Sequence, residues 1–92
     1  MIRSFKHRGL KRLYEKGDRS GIGADMVDTV ERILTVLDNA SVPRAIDLPG
    51  YRLHQLKGDL RGFWSVTVRA NWRIIFRFEE IDVWDVELTD YH

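Results

Sequence analysis

The sequence predicts an α+β fold in which two N-terminal helices pack on a twisted, mainly antiparallel sheet. Apolar residues recur at helical spacing in the first half of the chain, and they alternate with polar residues from Phe63 onward. Pro43 and Pro49-Gly50 separate the two patterns. A helical stripe and a sheet face of this kind bury each other when they pack. Ninety-two residues suffice for one domain, and we expect residues 1–92 to form it.

Two elements are predicted before Gly21. Ile2 to Phe5 are expected to form a short edge strand. A basic helix follows from about Lys6 to Lys16, because Leu10 and Leu13 recur at helical spacing among cationic residues. Gly17 then stands where a left-handed residue commonly ends a helix.

A second helix is predicted to begin at Asp25, whose carboxylate is a favourable N-cap. Spacings of three and four then place six apolar residues on one side of the helix, where core packing is the expected role. This stripe comprises Met26, Val27, Val30, Ile33, Leu34 and Leu37.

The first hairpin is predicted from the requirement that facing residues share one side of the sheet. A three-residue loop, Arg69-Ala70-Asn71, satisfies this requirement, with Asn71 in the left-handed position. It pairs Val68 with Trp72, Val66 with Ile74, and Trp64 with Phe76. Thr67 and Arg73 then become neighbours on the polar side, while the tryptophans and phenylalanines lie between the layers.

A second hairpin is predicted around Glu80-Ile81-Asp82. A three-residue loop there sets Arg77 against Asp85 and Arg73 against Thr89, with Tyr91 one diagonal step from Arg73. Arg77 and Asp85 would form a structural ion pair. Arg73 would have no acid directly opposite, which makes it the better candidate for binding an external anion.

Composition excludes several classes of protein. The hydrophobic fraction of 43% and the charged fraction of 32% are typical of a folded chain. The absence of cysteine excludes disulfides and thiolate metal sites, and three separated histidines predict no metal centre. No apolar run approaches the roughly 18 residues of a membrane span. The basic N-terminus lacks the apolar region of a signal peptide, so a cytoplasmic protein without membrane contact is expected.

The charges are segregated along the chain. Residues 1–19 hold seven Lys or Arg against two acids, and residues 51–78 hold six against one, whereas residues 79–92 hold six acids and no Lys or Arg. Two basic blocks on a nearly neutral chain favour an anion-binding face. The alternative is that acidic and basic strands pair with each other across the sheet.

Seven polar residues could support cleavage of RNA through the ribose 2′-hydroxyl. That reaction needs a base, an acid and cations that stabilise the phosphorane. Histidine and lysine can transfer protons, arginine binds phosphate bidentately, and tyrosine can stack on a base. The candidates are His54, Lys57, Arg69, Arg73, Asp90, Tyr91 and His92. The alternative is that His54 and Lys57 only occupy a strand end, that Tyr91 packs over the sheet, and that His92 frays.

Four segments resemble the HigB-type toxins of bacterial type II toxin–antitoxin systems, in the RelE superfamily. They are SFKHRGLKRLYEKG, DLPGYRLHQLKGD, WSVTVRANWRIIFRFE and the terminal DVELTDYH, and they span nearly the whole chain. The resemblance implies a RelE-like microbial RNase toxin fold. It also implies a cofactor-free endoribonuclease that cuts messenger RNA in the ribosomal A site and leaves a 2′,3′-cyclic phosphate. A HigA-type antitoxin with a helix-turn-helix domain would neutralise it, and operator DNA would be bound only through that antitoxin.

The same resemblance implies which residues act. The catalytic set would be His54, Lys57, Arg73, Asp90, Tyr91 and His92. Contacts to RNA and the ribosome would come from Lys6, Arg8, Lys11 and Arg12 of the first helix and from Arg69 and Asn71 of the hairpin. No residue is expected to bind a metal.

Departures from the family pattern leave two alternatives open. Many relatives carry arginine in place of Thr67 and a small residue in place of Arg69, Ala70 replaces a usual glycine, and Glu80-Ile81-Asp82 replaces a usual Asp-Gly-Asp turn. A catalytically attenuated homologue that binds the antitoxin as a co-repressor is therefore one alternative. A free-standing RNA-binding module is the other, and it is less favoured because the tryptophans are predicted to face the core.

Overall fold

The predicted α+β architecture is confirmed in a computed structural model that describes residues 1–90. Helices α1 (Arg8–Lys16) and α2 (Val27–Asn39) precede strands β1 (His54–Gln55), β2 (Phe63–Arg69), β3 (Trp72–Glu79) and β4 (Asp82–Asp90). The four strands form one antiparallel sheet in the order β1-β2-β3-β4. Tyr91 and His92, two of the predicted catalytic residues, lie outside the described residues.

The helix ends are set by local and tertiary contacts. The Nδ1 atom of His7 accepts a hydrogen bond from the Leu10 N–H at 3.1 Å, so α1 begins after His7 rather than at Lys6. Gly17 ends α1 with the predicted left-handed φ of 69°. The prediction for α2 was wrong, because Met26 occupies the N-cap position without a side-chain cap. Asp25 instead forms an ion pair with Arg69.

The helices cover one side of the sheet, which we call the core face. All six residues of the predicted α2 stripe are buried there. Leu10, Val66, Ile74 and Phe76 are also completely buried among them. Burial of this size supplies most of the free energy that favours folding in a chain of this length.

The N-terminal segment lies along β4, where Ile2 and Phe5 form isolated parallel bridges to Val83 and Val86. The Arg3 N–H donates to the Val83 carbonyl at 2.7 Å. The predicted edge pairing is therefore present, but as two bridges rather than a continuous strand.

The first hairpin confirms most of the predicted register. Val66 faces Ile74, Trp64 faces Phe76, and Thr67 faces Arg73. The loop was predicted wrongly, because Arg69 pairs with Trp72 and Val68 is the additional residue of a β-bulge. Ala70, not Asn71, takes the positive φ of 47°. Since the bulge comes after Thr67, the pairing of Thr67 with Arg73 is unaffected by it.

The second hairpin contains a bulge that the alternation of the sequence did not predict. Glu79 pairs with Asp82 across a two-residue loop, and Arg77 faces Trp84 instead of Asp85. Asp85 has a φ of 56°, and its N–H donates to the Ser4 hydroxyl at 2.8 Å. The residues beyond the bulge return to the predicted register, so the pairing of Arg73 with Thr89 is confirmed.

The bulge at Asp85 moves one tryptophan out of the core. Val83 and Val86 are both fully buried, which places Trp84 on the opposite side of the sheet. The Arg77 guanidinium carbon there lies 5.7 Å from the centre of the Trp84 ring. The prediction that the tryptophans and phenylalanines lie between the layers is therefore wrong for Trp84, and also for Phe63, which pairs with Arg77 on the same side of the sheet.

Candidate active site

The side of the sheet turned away from the helices, which we call the polar face, contains a cavity of about 250 Å³. Its position follows from strand register, because directly paired residues project from the same side of a sheet. His54 of β1 pairs with Ser65 of β2, and Thr67 of β2 pairs with Arg73 of β3. The cavity is lined by Arg52, His54, Leu56, Ser65, Thr67, Arg73 and Ile75.

Two predicted catalytic residues, His54 and Arg73, meet at this cavity. The Arg73 Nη1 atom donates to the carbonyls of Ala70 and Trp72, at 2.7 and 3.2 Å, which holds the guanidinium near the β2–β3 turn. Thr89 occupies the position opposite Arg73, as predicted, and no ion pair of Arg73 occurs within residues 1–90. A half-buried guanidinium that makes only two hydrogen bonds within residues 1–90 is well suited to bind an anion.

Two other predicted residues lie outside this cavity. Lys57 is exposed and directly precedes the 3₁₀ turn Gly58–Leu60. Asp90 is exposed and faces Trp72 on the neighbouring strand, one position beyond the pair of Arg73 with Thr89. Substrate bound to His54 and Arg73 would have to extend past the cavity to reach either residue.

Arg52 and Thr67 line the cavity, although neither was predicted as a site residue. Arg52 has a left-handed φ of 51°, a conformation that costs strain in a residue with a side chain. The Thr67 hydroxyl oxygen is buried and has no hydrogen-bond partner in the described part of the chain. Arg52 precedes His54 by two positions, but its left-handed backbone breaks the alternation that would place both side chains on one side of an extended segment. The spacing alone could therefore not have identified Arg52.

The electrostatics of the polar face favour anions at the cavity. None of the lining residues among positions 1–90 is acidic, and two are arginines. Of the nearby acids of β3 and β4, Glu79 and Asp85 are occupied by ion pairs with Arg77, each at 2.8 Å. Glu87 faces Ile75 on the neighbouring strand, does not line the cavity and forms no ion pair within residues 1–90. The pair of Arg77 with Asp85 confirms the predicted ion pair despite the different register. The Arg77 hydrogen bond, helped by Ser4, lowers the pKa of Asp85 in spite of burial.

The end of the polar face away from Arg73 is aromatic and basic. Phe63 pairs with Arg77, which also faces Trp84, so both rings lie in one row across the sheet. The Lys6 ammonium nitrogen lies 5.5 Å from the centre of the Phe63 ring. This row weakens the earlier argument against a simple RNA-binding role, which assumed that every tryptophan faces the core.

The cations predicted to contact the ribosome are surface residues with different degrees of pairing. Arg8 and Lys11 on α1 are exposed, and no carboxylate within residues 1–90 forms an ion pair with either. Arg12 has a long contact of 3.7 Å to Asp18. Arg69 is held by Asp25, and Asn71 is exposed in the adjacent hairpin loop. The cations of α1 are therefore less constrained by ion pairs than Arg69 of the hairpin is.

Residues 1–90 contain neither a metal-binding cluster nor a membrane-spanning helix. No three His, Asp or Glu side chains there lie close enough together to hold a metal ion. No helix in the same range has the length and apolarity needed to span a membrane.

The sequence comparisons agree on one family, and a structural comparison shows a similar fold. The family model described as "RelE-like toxin of type II toxin-antitoxin system HigB" matches residues 3–92. The chain is 49% identical to "Endoribonuclease HigB" of Proteus vulgaris over 92 residues, the whole of both chains. It is 31% identical to "Toxin HigB-1" of Vibrio cholerae over 80 residues, 85% of this chain and 84% of that protein. A crystal structure of a YafQ variant from E. coli shares the fold, with a TM-score of 0.62, 15% identity, and coverage of 98% of this chain and 93% of that one.

Proposed function

The chain belongs to the HigB-like family of RelE-like toxins, and we propose from this premise that it is a ribosome-dependent, metal-independent endoribonuclease. It would cut messenger RNA in the A site and stop translation in the cytoplasm. The observation that carries this proposal is the meeting of His54 and Arg73 at one cavity with no acidic lining residue among positions 1–90. A relative with 49% identity over its full length is named an endoribonuclease, which supports the same chemistry.

The residues at the cavity suit cleavage through the ribose 2′-hydroxyl. A phosphodiester bound by Arg73 would receive charge stabilisation where the phosphorane develops. His54 lines the same cavity and can transfer a proton near neutral pH. The second proton transfer would fall to Lys57 or to one of the terminal residues Asp90, Tyr91 and His92.

Ribosome dependence is supported by the basic surface of α1. Arg8 and Lys11 project from this helix beside Lys6, which precedes it. A helix with exposed cations binds a phosphate backbone without sequence preference, as ribosomal RNA would require. Position in the A site would then select the messenger, while the cavity performs the cleavage.

The proposed partner in the cell is a HigA-type antitoxin with a helix-turn-helix domain. Toxins of this family act in toxin–antitoxin systems, which supports an antitoxin partner. Operator DNA would be bound by that partner and by the toxin only within the complex. Residues 1–92 would act as a single domain in both roles.

The experiment is induction of the wild type and of Arg73→Ala in bacteria without the antitoxin, with transcript ends mapped during growth arrest. We expect Arg73→Ala to lower the cleavage rate by about tenfold to a thousandfold, because one charge-stabilising group is lost. Arg44→Ala is the matched control, since Arg44 is an exposed arginine away from the cavity. A wild type that leaves growth and transcripts unchanged would overturn the proposal.

A second candidate function is that of an attenuated toxin that acts as an antitoxin-binding co-repressor. The observation that favours it is the ion pair of Arg69 with Asp25, because a cation paired with a carboxylate is less available to bind RNA at the polar face. It predicts tight binding of the antitoxin and no cleavage on translating ribosomes. Codon-associated cuts by the purified chain would dismiss it.

A further inference from the structure

We propose that Arg52 and Thr67 form a phosphate-binding subsite together with Arg73, and that Arg52 contacts the phosphodiester directly. The identity of the ligand as RNA rests on the proposed function, whereas the anion-binding site itself does not. Three features of the cavity carry the inference: a strained backbone, and a guanidinium and a buried hydroxyl that have no partner within residues 1–90.

The first feature is the guanidinium of Arg52. Arg52 lines the cavity with Arg73, and within residues 1–90 it forms no hydrogen bond or ion pair. Arg52 is exposed and Arg73 is half-buried, so solvent screens part of the repulsion between their charges, but no carboxylate among the lining residues of positions 1–90 offsets it. An anion between them would replace that repulsion with two attractions. Guanidinium groups are well matched to phosphate, because their parallel N–H donors bind two oxygens at once.

The second feature is the backbone at Arg52. Its φ of 51° lies in the left-handed region, which glycine adopts readily and which strains other residues. The flanking chain is fixed in place, since the Tyr51 carbonyl accepts a hydrogen bond from the Thr67 N–H at 2.7 Å. Glycine would satisfy this turn with less strain. The arginine at this position is therefore better explained by its side chain at the cavity than by the turn.

The third feature is the hydroxyl of Thr67. Its oxygen is buried without a partner in the described chain, and an unsatisfied buried hydroxyl is unfavourable. Thr67 lies directly opposite Arg73, so the hydroxyl and the guanidinium are neighbours at the cavity. A phosphate oxygen bound by Arg73 could accept the hydrogen bond that Thr67 has free to donate.

The first test separates activity from stability. The variants Arg52→Gly, Arg52→Lys and Thr67→Val are compared with the wild type and with Arg44→Ala as control. Cleavage is measured on translating ribosomes, and melting temperature by circular dichroism. We expect Arg52→Gly to lower kcat about tenfold to a hundredfold, since a charge-assisted contact to the phosphate is lost.

The melting temperatures make this test decisive. Arg52→Gly relieves backbone strain, and Thr67→Val removes a buried hydroxyl that has no partner within residues 1–90 while keeping nearly the same shape. Neither variant should melt below the wild type, so lost activity would not reflect unfolding. Arg52→Lys keeps the charge without the forked donors and should retain intermediate activity. Wild-type cleavage by Arg52→Gly would overturn the subsite and leave the proposed function standing.

The second test needs no ribonuclease activity. Inorganic phosphate is titrated into the free protein while the arginine Nε–Hε resonances are followed by NMR. We expect the resonances of Arg52 and Arg73 to shift together, the Arg44 resonance to stay in place, and the Arg73 shift to shrink in Arg52→Gly. Phosphate binding by a wild type that cuts no RNA would sustain the subsite while the proposed function fails. An Arg52 resonance that does not respond would overturn the subsite.

Discussion

Asp38 joins three parts of the fold, and its removal provides a direct test of how the chain is held together. One oxygen of its carboxylate, Oδ1, accepts hydrogen bonds from the Ile2 N–H at 2.9 Å and from the Tyr14 hydroxyl at 2.6 Å. These contacts tie α2 to α1 and to the segment that pairs with β4. Burial opposes ionisation of Asp38, but the bonds from Tyr14 and Ile2 outweigh it and lower its pKa.

The size of the effect of Asp38→Ala follows from these contacts. Hydrogen bonds to charged groups contribute about 1.5–3 kcal/mol each, and partial exposure of this site reduces that figure. The loss of two such bonds should therefore lower the free energy of unfolding by about 2–4 kcal/mol. In a domain of this length, such a loss corresponds to roughly 10–25 °C in melting temperature.

The dependence on pH distinguishes the charge of Asp38 from its role as a hydrogen-bond acceptor. The folded pKa lies below the ordinary value of 3.8, so the stabilisation is fully present above about pH 4. It is lost as the pH falls further, through the folded pKa. Asp38→Asn keeps one acceptor oxygen, so it should be less damaging than Asp38→Ala at pH 7. The difference in free energy of unfolding between Asp38→Asn and the wild type should shrink below pH 4.

The assay is thermal and urea unfolding followed by circular dichroism at several pH values. Asp28→Asn is the matched control, because Asp28 lies on the same helix and only takes part in an exposed ion pair with Arg19. Its melting temperature should stay close to that of the wild type. If Asp38→Ala melts within a degree or two of the wild type at pH 7, the role assigned to this carboxylate is refuted.

Three further predictions concern packing, alkaline pH and the bulge in β4. Gly9→Ala should lower the free energy of unfolding, measured in urea, by about 1–3 kcal/mol. The reason is that the added Cβ would lie 2.6 Å from the Gly21 carbonyl oxygen. The hydrogen bond from the Tyr14 phenol to Asp38 raises the Tyr14 pKa from 10.0 to about 12. The free energy of unfolding of the wild type should therefore exceed that of Tyr14→Phe by a constant amount below pH 10. Unfolding experiments at higher pH should show this difference in free energy of unfolding disappearing toward pH 12. Trp84→Ala should cost about 1 kcal/mol and Phe76→Ala about 3–5 kcal/mol, and equal losses would contradict the position of Trp84 outside the core.

The hairpins show why the faces of the sheet could be predicted and the loops could not. Alternation of apolar residues over β2 and β3 was sufficient to pair Thr67 with Arg73. The bulge at Asp85 depends on the hydroxyl of Ser4, which is 81 residues away in the chain. Alternation within one strand carries no information about such a distant contact. Trp84 was assigned to the wrong face for this reason.

The residues of the candidate active site could likewise be predicted only in part from the sequence. β1 is only two residues long, so no alternation reveals that His54 pairs with Ser65. His54 was a candidate because histidine can transfer protons, and the family resemblance then implied its catalytic role. Arg52 was missed because its position depends on a left-handed turn, which the sequence does not indicate without a glycine there. Asp25 was misassigned because a tertiary ion pair with Arg69 outweighed its local preference to cap a helix.

The distribution of unfavourable features argues for a ligand at the cavity. Within residues 1–90, a strained residue, a hydroxyl without a hydrogen-bond partner and two arginines without an ion pair all line one cavity of about 250 Å³ on the polar face. Such features reduce net stability, which is only about 5–15 kcal/mol for a typical domain. A sheet face that served structure alone could relieve each of them with glycine, valine or a neutral side chain at no loss. Their concentration in one cavity is expected if a phosphodiester occupies it during the reaction, because the ligand satisfies the hydroxyl and both cations together.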